Sequence, residues 1–137
     1  MPQTINPHTA LIYVMVTMSA VDSAMSDKEL RKIGTIVTTL PVFDNFSSDL
    51  LVQIAEDCGE ILQEDGGLEA VFGLVRDALP EHLHETAYAL AVEVAAADLT
   101  VQQEELRLLQ LLRDTLGIEK LSAAAIERGA RARHTTI

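Results

Sequence analysis

Basic and aromatic residues are scarce in this chain of 137 residues. Ten Lys and Arg stand against 21 Asp and Glu, so the formal net charge is −11. Such a charge repels phosphate backbones and anionic lipid headgroups, which argues against nucleic-acid binding and against docking on a membrane surface. The chain has no Trp and only 4% aromatics, yet 48% of it is hydrophobic, so the expected core is aliphatic. The composition favours cations or basic proteins as partners.

Cysteine and long apolar runs are also rare. Cys58 is the single cysteine, so no internal disulfide can form, which suits a reducing compartment. The longest apolar runs, residues 10–18 and 87–97, are far shorter than the roughly 20 residues that span a bilayer. No Lys or Arg precedes Lys28, so the basic start of a secretory signal is missing. We expect one cytoplasmic domain over residues 1–137, without membrane insertion.

Hydrophobic spacing predicts seven helices and no strand, because Pro and Gly fall between the periodic segments. In the first helix, Leu11, Val14, Met15 and Met18 share one face. The predicted helices cover about 7–21, 26 to just before Pro41, a segment capped by Ser47 or Ser48, the region after Gly66-Gly67, 80–97, a leucine-rich segment ending at Gly117, and about 119–133. The predicted fold is an all-α compact bundle with short loops.

The sequence repeats itself at an offset of 76 residues. Residues 10–40 align with residues 86–116, and eight of the 31 pairs are identical. The identical pairs are Val16/Val92, Ala20/Ala96, Asp22/Asp98, Glu29/Glu105, Leu30/Leu106, Arg31/Arg107, Thr39/Thr115 and Leu40/Leu116. Each copy is predicted to be helix, acidic turn, helix, so we expect two helix pairs about a pseudo-twofold axis, with their acidic turns brought together there.

Both turns place an Asp seven residues before a Glu, with an apolar residue at the fourth place. This spacing equals the second half of an EF-hand loop. The first half is missing, because its ligand positions would fall on Met18 and Ala20 in one copy and on Val94 and Ala96 in the other. An ordinary EF-hand is therefore excluded.

These turns and the duplication resemble the tellurite-resistance TerB-like family. Ala95-Ala96-Ala97-Asp98 through Glu105-Leu106 is similar to the family's small-residue run followed by an acidic turn, and 19–30 looks like its N-terminal counterpart. The resemblance extends from about residue 10 to residue 133. It implies a compact seven-helix, non-enzymatic module linked to tellurite resistance and stress responses, with divalent-metal binding and partners among membrane proteins.

Asp22, Glu29, Asp98 and Glu105 are the candidate metal ligands. Four carboxylates meeting at a pseudo-twofold axis would suit Ca²⁺ or Mg²⁺. The competing interpretation, which we favour, is helix capping: Ser26-x-x-Glu29 has the pattern of a capping box, and Thr100-x-x-Gln103 competes for that role in the second copy.

Five other features allow a functional and a plainer interpretation, and we favour the plainer one for each. We expect Glu93 to share a solvent stripe with His82 and Thr86 rather than to act as an inward ligand, and His82 and His84 to be solvated. Cys58 is expected to be a small buried hydrophobe rather than a nucleophile. The acidic run over 56–65 is expected to be a solvated face that could receive a basic partner, and Arg128, Arg131 and Arg133 to complement a helix end rather than to join a homodimer.

Three hypotheses of function follow. The leading one is a non-enzymatic module that binds a protein partner, including one in a membrane-protein complex, with modulation by a divalent cation at the acidic turns. The alternative is a structural or oligomerising helical protein with no ligand. The weakest is an enzyme that acts on oxyanions through Cys58, because anions would have to approach a charge of −11.

Overall fold

A computed structural model describes residues 4–20, 26–96 and 103–137. Within these ranges the regular structure is entirely helical, which confirms the all-α prediction. The seven α-helices are α1 (Pro7–Ser19), α2 (Asp27–Thr39), α3 (Leu51–Leu62), α4 (Gly67–Ala78), α5 (His84–Ala96), α6 (Gln103–Leu116) and α7 (Lys120–His134). None of these helices combines the length and the apolarity needed to cross a bilayer.

Helices α1 and α5 form the centre of the molecule. They pack on each other, α1 also contacts α2, α3 and α4, and α5 also contacts α6 and α7. Every residue of α1 from Ala10 to Met18 is buried. The sequence predicted one apolar stripe on this helix; the structure buries all sides because neighbours surround it.

Helix α1 begins at Pro7, α2 begins directly after Ser26, and α6 ends before Gly117, as predicted. The Asn6 side chain accepts a hydrogen bond from the Thr9 backbone N–H at 2.8 Å, and Pro7 occupies the first turn of α1. Gly117 follows α6 with a φ of 68°, a left-handed conformation that suits glycine. Helices α3 and α5 begin later than predicted, because the 3₁₀ turns Ser48–Leu50 and Glu81–Leu83 precede them.

The duplication extends beyond the two helix pairs that the sequence revealed. Helix α3 packs on α1 as α7 packs on α5, and α4 contacts α1, α3 and α6. The buried Thr17 hydroxyl lies 3.8 Å from the Cys58 thiol, and Glu93 contacts His134 at 2.8 Å. The residues of the second contact each lie 76 positions after those of the first. The molecule therefore contains two equivalent three-helix units, α1–α2–α3 and α5–α6–α7.

Candidate functional site

Glu29 lies in the first turn of α2 and closes the predicted capping box. Its Oε1 accepts hydrogen bonds from the Ser26 backbone N–H at 3.2 Å and from the Ser26 hydroxyl at 3.0 Å. The Ser26 hydroxyl oxygen in turn accepts from the Glu29 backbone N–H at 3.2 Å. The capping prediction is thus confirmed for the first copy of the repeat.

The other three candidate ligands differ in what the structure shows of them. Glu105 lies in the first turn of α6 and is only 5% exposed, and its side chain has an interaction partner. Asp22 and Asp98 lie outside the described residues. Among the residues that are described, no group of three His, Cys, Asp or Glu side chains is arranged to hold a metal. The four-carboxylate site therefore stays a prediction.

Glu93 joins the C-terminal end of α7 to α5. Its Oε2 lies 2.8 Å from His134 Nε2, and the Arg133 guanidinium donates to both carboxylate oxygens at 3.3 Å. Burial alone would raise the pKa of Glu93, but the hydrogen bonds and charges of Arg133 and His134 outweigh it and lower that pKa. The predicted solvent stripe is wrong for Glu93, because α7 covers this position.

His84 is a second correction. It begins α5 half-buried, with Nδ1 3.1 Å from the Leu116 carbonyl oxygen and Nε2 3.2 Å from the Leu79 carbonyl oxygen. These carbonyls belong to the C-terminal ends of α6 and α4, so the imidazole ties two helix ends to a third helix. His82 is exposed, as predicted.

Cys58 is completely buried, which confirms the structural interpretation. Its thiol lies 3.8 Å from the Thr17 hydroxyl and 3.8 Å from the Tyr13 carbonyl oxygen. Burial raises the pKa of Cys58 to about 11, so almost no thiolate exists at neutral pH. Chemistry through an exposed Cys58 thiolate, the third hypothesis, is inconsistent with this environment.

The first three-helix unit carries a groove of about 540 Å³, which we call the N-terminal groove. Its apolar lining comes from Val16, Ala20, Leu30, Val52, Ala55 and Leu62. Val52 is 53% exposed, and the exposed carboxylates of Asp27 and Glu56 stand at the rim. The acidic face of α3 continues from this rim, because Asp57 and Glu60 are also exposed, as predicted.

The second unit carries a groove of about 530 Å³ between α6 and α7, which we call the C-terminal groove. Its floor is α5, with Tyr88, Val92, Ala95 and Ala96. Its walls are Leu106, Leu109, Gln110 and Arg113 on α6, and Glu127, Ala130, Arg131 and His134 on α7 together with Thr135 directly after it. Leu106, one of the leucines of α6, is 55% exposed in this groove.

A short polar network closes one end of the C-terminal groove. The Tyr88 hydroxyl donates to Glu127 Oε2 at 2.5 Å, and Arg113 Nη1 lies 3.8 Å from the same oxygen. Burial, the hydrogen bond to Glu127 and the charge of Glu127 raise the pKa of Tyr88 well above its usual range. Tyr88 is therefore a neutral hydrogen-bond donor, and the Glu127 carboxylate already contacts Tyr88 and Arg113.

The two grooves occupy equivalent places in the repeat. Val16, Ala20 and Leu30 line the first, and their identical counterparts Val92, Ala96 and Leu106 line the second. The lining positions Ala55 and Gly59 on α3 likewise correspond to Arg131 on α7 and to Thr135, which directly follows α7. Sequence reasoning missed both grooves. The available signal was the identity of these three pairs, which indicates an equivalent position as well as an equivalent helix pair.

Comparison with known proteins gives one family. The family described as Tellurite resistance protein TerB matches residues 8–128, which is most of the chain. No curated protein and no solved structure matches the chain significantly. The matched range covers α1 from its second residue, all of α2 to α6, and residues 120–128 of α7. The chain is therefore a member of the tellurite-resistance TerB family.

Proposed function

We propose that this TerB domain is a non-enzymatic module that binds a basic helical segment of a partner protein in its N-terminal groove. The observation that carries the proposal is an open apolar groove with an acidic rim. Val52 is exposed there, whereas an apolar side chain of that size gains free energy when a partner covers it. Membrane proteins are a source of such segments, because their cytoplasmic ends are rich in Lys and Arg.

The charges at the rim of the N-terminal groove favour a positively charged partner. Asp27 and Glu56 are exposed at the rim, and Glu60 lies one helical turn beyond Glu56 on α3. The exposed cations of α2, such as Lys28 and Arg31, are not among the described residues that line the groove. Together with the net charge of −11, this rim attracts Lys and Arg on the flanks of an apolar helix face.

A pair of designed helical peptides tests the proposal. Both have about 14 residues with leucines spaced for one helix face; one carries Lys on the flanks and its twin carries Glu. We expect fluorescence anisotropy in buffered salt to show binding of the Lys peptide, and Glu56→Lys to raise its Kd about tenfold. Asp77→Lys on α4 is the matched control, since it makes the same change of charge at an exposed position outside both grooves.

Two results would contradict this assignment. One is equal binding of the Lys peptide by the wild type and Glu56→Lys. The other is an equal loss in Glu56→Lys and Asp77→Lys, which would mean that net charge alone attracts the peptide. Val52→Ser adds a test of the apolar contact. It alters an exposed side chain, so we expect weaker peptide binding with folding nearly unchanged.

We also propose that Ca²⁺ or Mg²⁺ binds Asp22, Glu29, Asp98 and Glu105 and modulates partner binding. The support is the repeated spacing of these residues, and the fact that both capping bonds to the Glu29 carboxylate fall on Oε1 alone. Addition of either ion to millimolar concentration should shift the backbone NMR signals of all four residues. Unchanged spectra at these residues would leave Glu29 with its capping role only.

A further inference from the structure

The C-terminal groove differs from its counterpart in the sign of the charges at its rim. We propose that it binds an acidic amphipathic helix, and so forms a second docking site with the opposite preference from the N-terminal groove. This proposal does not depend on the function of the N-terminal groove, because a different set of residues carries it.

The shape of the groove fits a helix. Helices α6 and α7 make few contacts with each other, and a strip of α5 forms the floor of the groove between them. The strip extends from Tyr88 to Ala96, about 12 Å at the rise of an α-helix, or slightly more than two turns. Tyr88, Val92 and Ala95 are buried in this floor and Ala96 is half-buried, so a partner would rest on the floor chiefly at Ala96. Leu106 stands 55% exposed beside this strip as an apolar contact for the partner.

Cations lie on both walls. Arg113 is on α6 and Arg131 is on α7, so each flank of a helix lying in the groove would face one arginine. Arg131 is exposed and forms no ion pair with any residue of the described ranges. Glu127 is the carboxylate among the described lining residues, and Tyr88 and Arg113 already engage it. The rim therefore favours carboxylates on the flanks of the partner.

The repeat shows that this charge is specific to the second unit. The positions equivalent to Arg113, Arg131 and His134 are Val37, Ala55 and Cys58 in the first unit. Val37 and Cys58 are buried core residues, and Ala55 is half-buried. These equivalent positions thus hold apolar or weakly polar side chains in the first unit and basic side chains in the second. Arg113 and His134 already contact Glu127 and Glu93, whereas Arg131 forms no ion pair within the described ranges, so it is Arg131 that favours a negatively charged occupant.

The same two peptides test this site when they are combined with a different variant. We expect Arg131→Glu to raise the Kd of the Glu peptide about tenfold and to leave the Kd of the Lys peptide unchanged. Arg76→Glu on α4 is the matched control and should affect neither Kd, because Arg76 is exposed and outside both grooves. Leu106→Asn should also weaken binding of the Glu peptide. Because Leu106 is exposed, we expect this variant to fold normally.

Two outcomes would overturn the inference. They are no binding of the Glu peptide, and an equal loss of its binding in Arg131→Glu and Arg76→Glu. If the Glu peptide does not bind and decanoate does, the groove belongs to small anionic amphiphiles instead. Failure of the Lys peptide, or its insensitivity to Glu56→Lys, would contradict only the proposed function of the N-terminal groove.

Discussion

At the scale of single residues, the surroundings of a side chain decide its chemistry more than its identity does. Cys58 and His134 occupy equivalent positions of the repeat, yet one is sealed in the core and the other binds a carboxylate. Their partners, Thr17 and Glu93, are equivalent in the same way. The equivalent positions therefore hold a buried polar contact in one unit and a contact with a carboxylate in the other.

The burial of Cys58 predicts a slow reaction with alkylating reagents. At pH 8 a thiol with a pKa of about 11 is about one part in a thousand thiolate, and the reagent has no path to the sulfur. We expect iodoacetamide to modify the native protein at least about a hundred times more slowly than the protein unfolded in urea, as measured by mass spectrometry. Comparable rates in the two states would contradict the burial of the thiol.

At the scale of helices, the amino-acid pattern predicted which segments are helical, and the structure explains where that pattern was insufficient. The caps at Asn6 and Ser26 and the end at Gly117 are local features, so sequence predicts such boundaries well. The role of Glu93 depends on Arg133 and His134, which are 40 and 41 residues away in the chain. Local spacing carries no information on such a partner.

The contact of Glu93 with α7 predicts a pH-dependent attachment of this helix. Because its pKa is lowered on folding, the Glu93 carboxylate stabilises the native state above its ordinary pKa of 4.5, and this contribution is lost as the pH falls through the lower, folded value. We expect Glu93→Gln to lower the free energy of unfolding by about 1 kcal/mol or less at pH 7 and to speed hydrogen exchange at the end of α7. The differences in stability and in hydrogen exchange between Glu93→Gln and the wild type should become smaller in acid.

Glu85→Gln is the control for this experiment, because Glu85 is an exposed carboxylate on the same helix. It should leave hydrogen exchange in α7 unchanged at every pH. If Glu93→Gln and the wild type exchange equally at pH 7, the ion pairs do not hold α7 in place.

At the scale of the whole molecule, the sequence predicted the duplication but not its full extent. Identity between the copies is concentrated in residues 10–40 and 86–116, with eight identical pairs there. Helices α3 and α7 have diverged, and only contacts such as Thr17 with Cys58 and Glu93 with His134 reveal that they are equivalent. The grooves combine residues from both kinds of segment, which explains why periodicity alone could not locate them.

The net charge of −11 predicts opposite kinetic effects of salt on the two designed peptides. Long-range attraction accelerates the approach of the Lys peptide and repulsion slows that of the Glu peptide, and salt screens both forces. Between low and physiological salt, stopped-flow fluorescence should show the association rate of the Lys peptide falling about tenfold and that of the Glu peptide rising. A fall in both rates would contradict this electrostatic description.

Five lining positions of one groove have their 76-residue counterparts in the lining of the other, so the two grooves can be compared at these positions within one chain. Exchanging Ala55 and Arg131, for example, leaves composition, molecular mass and net charge untouched. Any change in ligand preference after such an exchange must come from where the guanidinium sits. The two grooves are always compared in the same solvent and at the same concentration, because they belong to one chain.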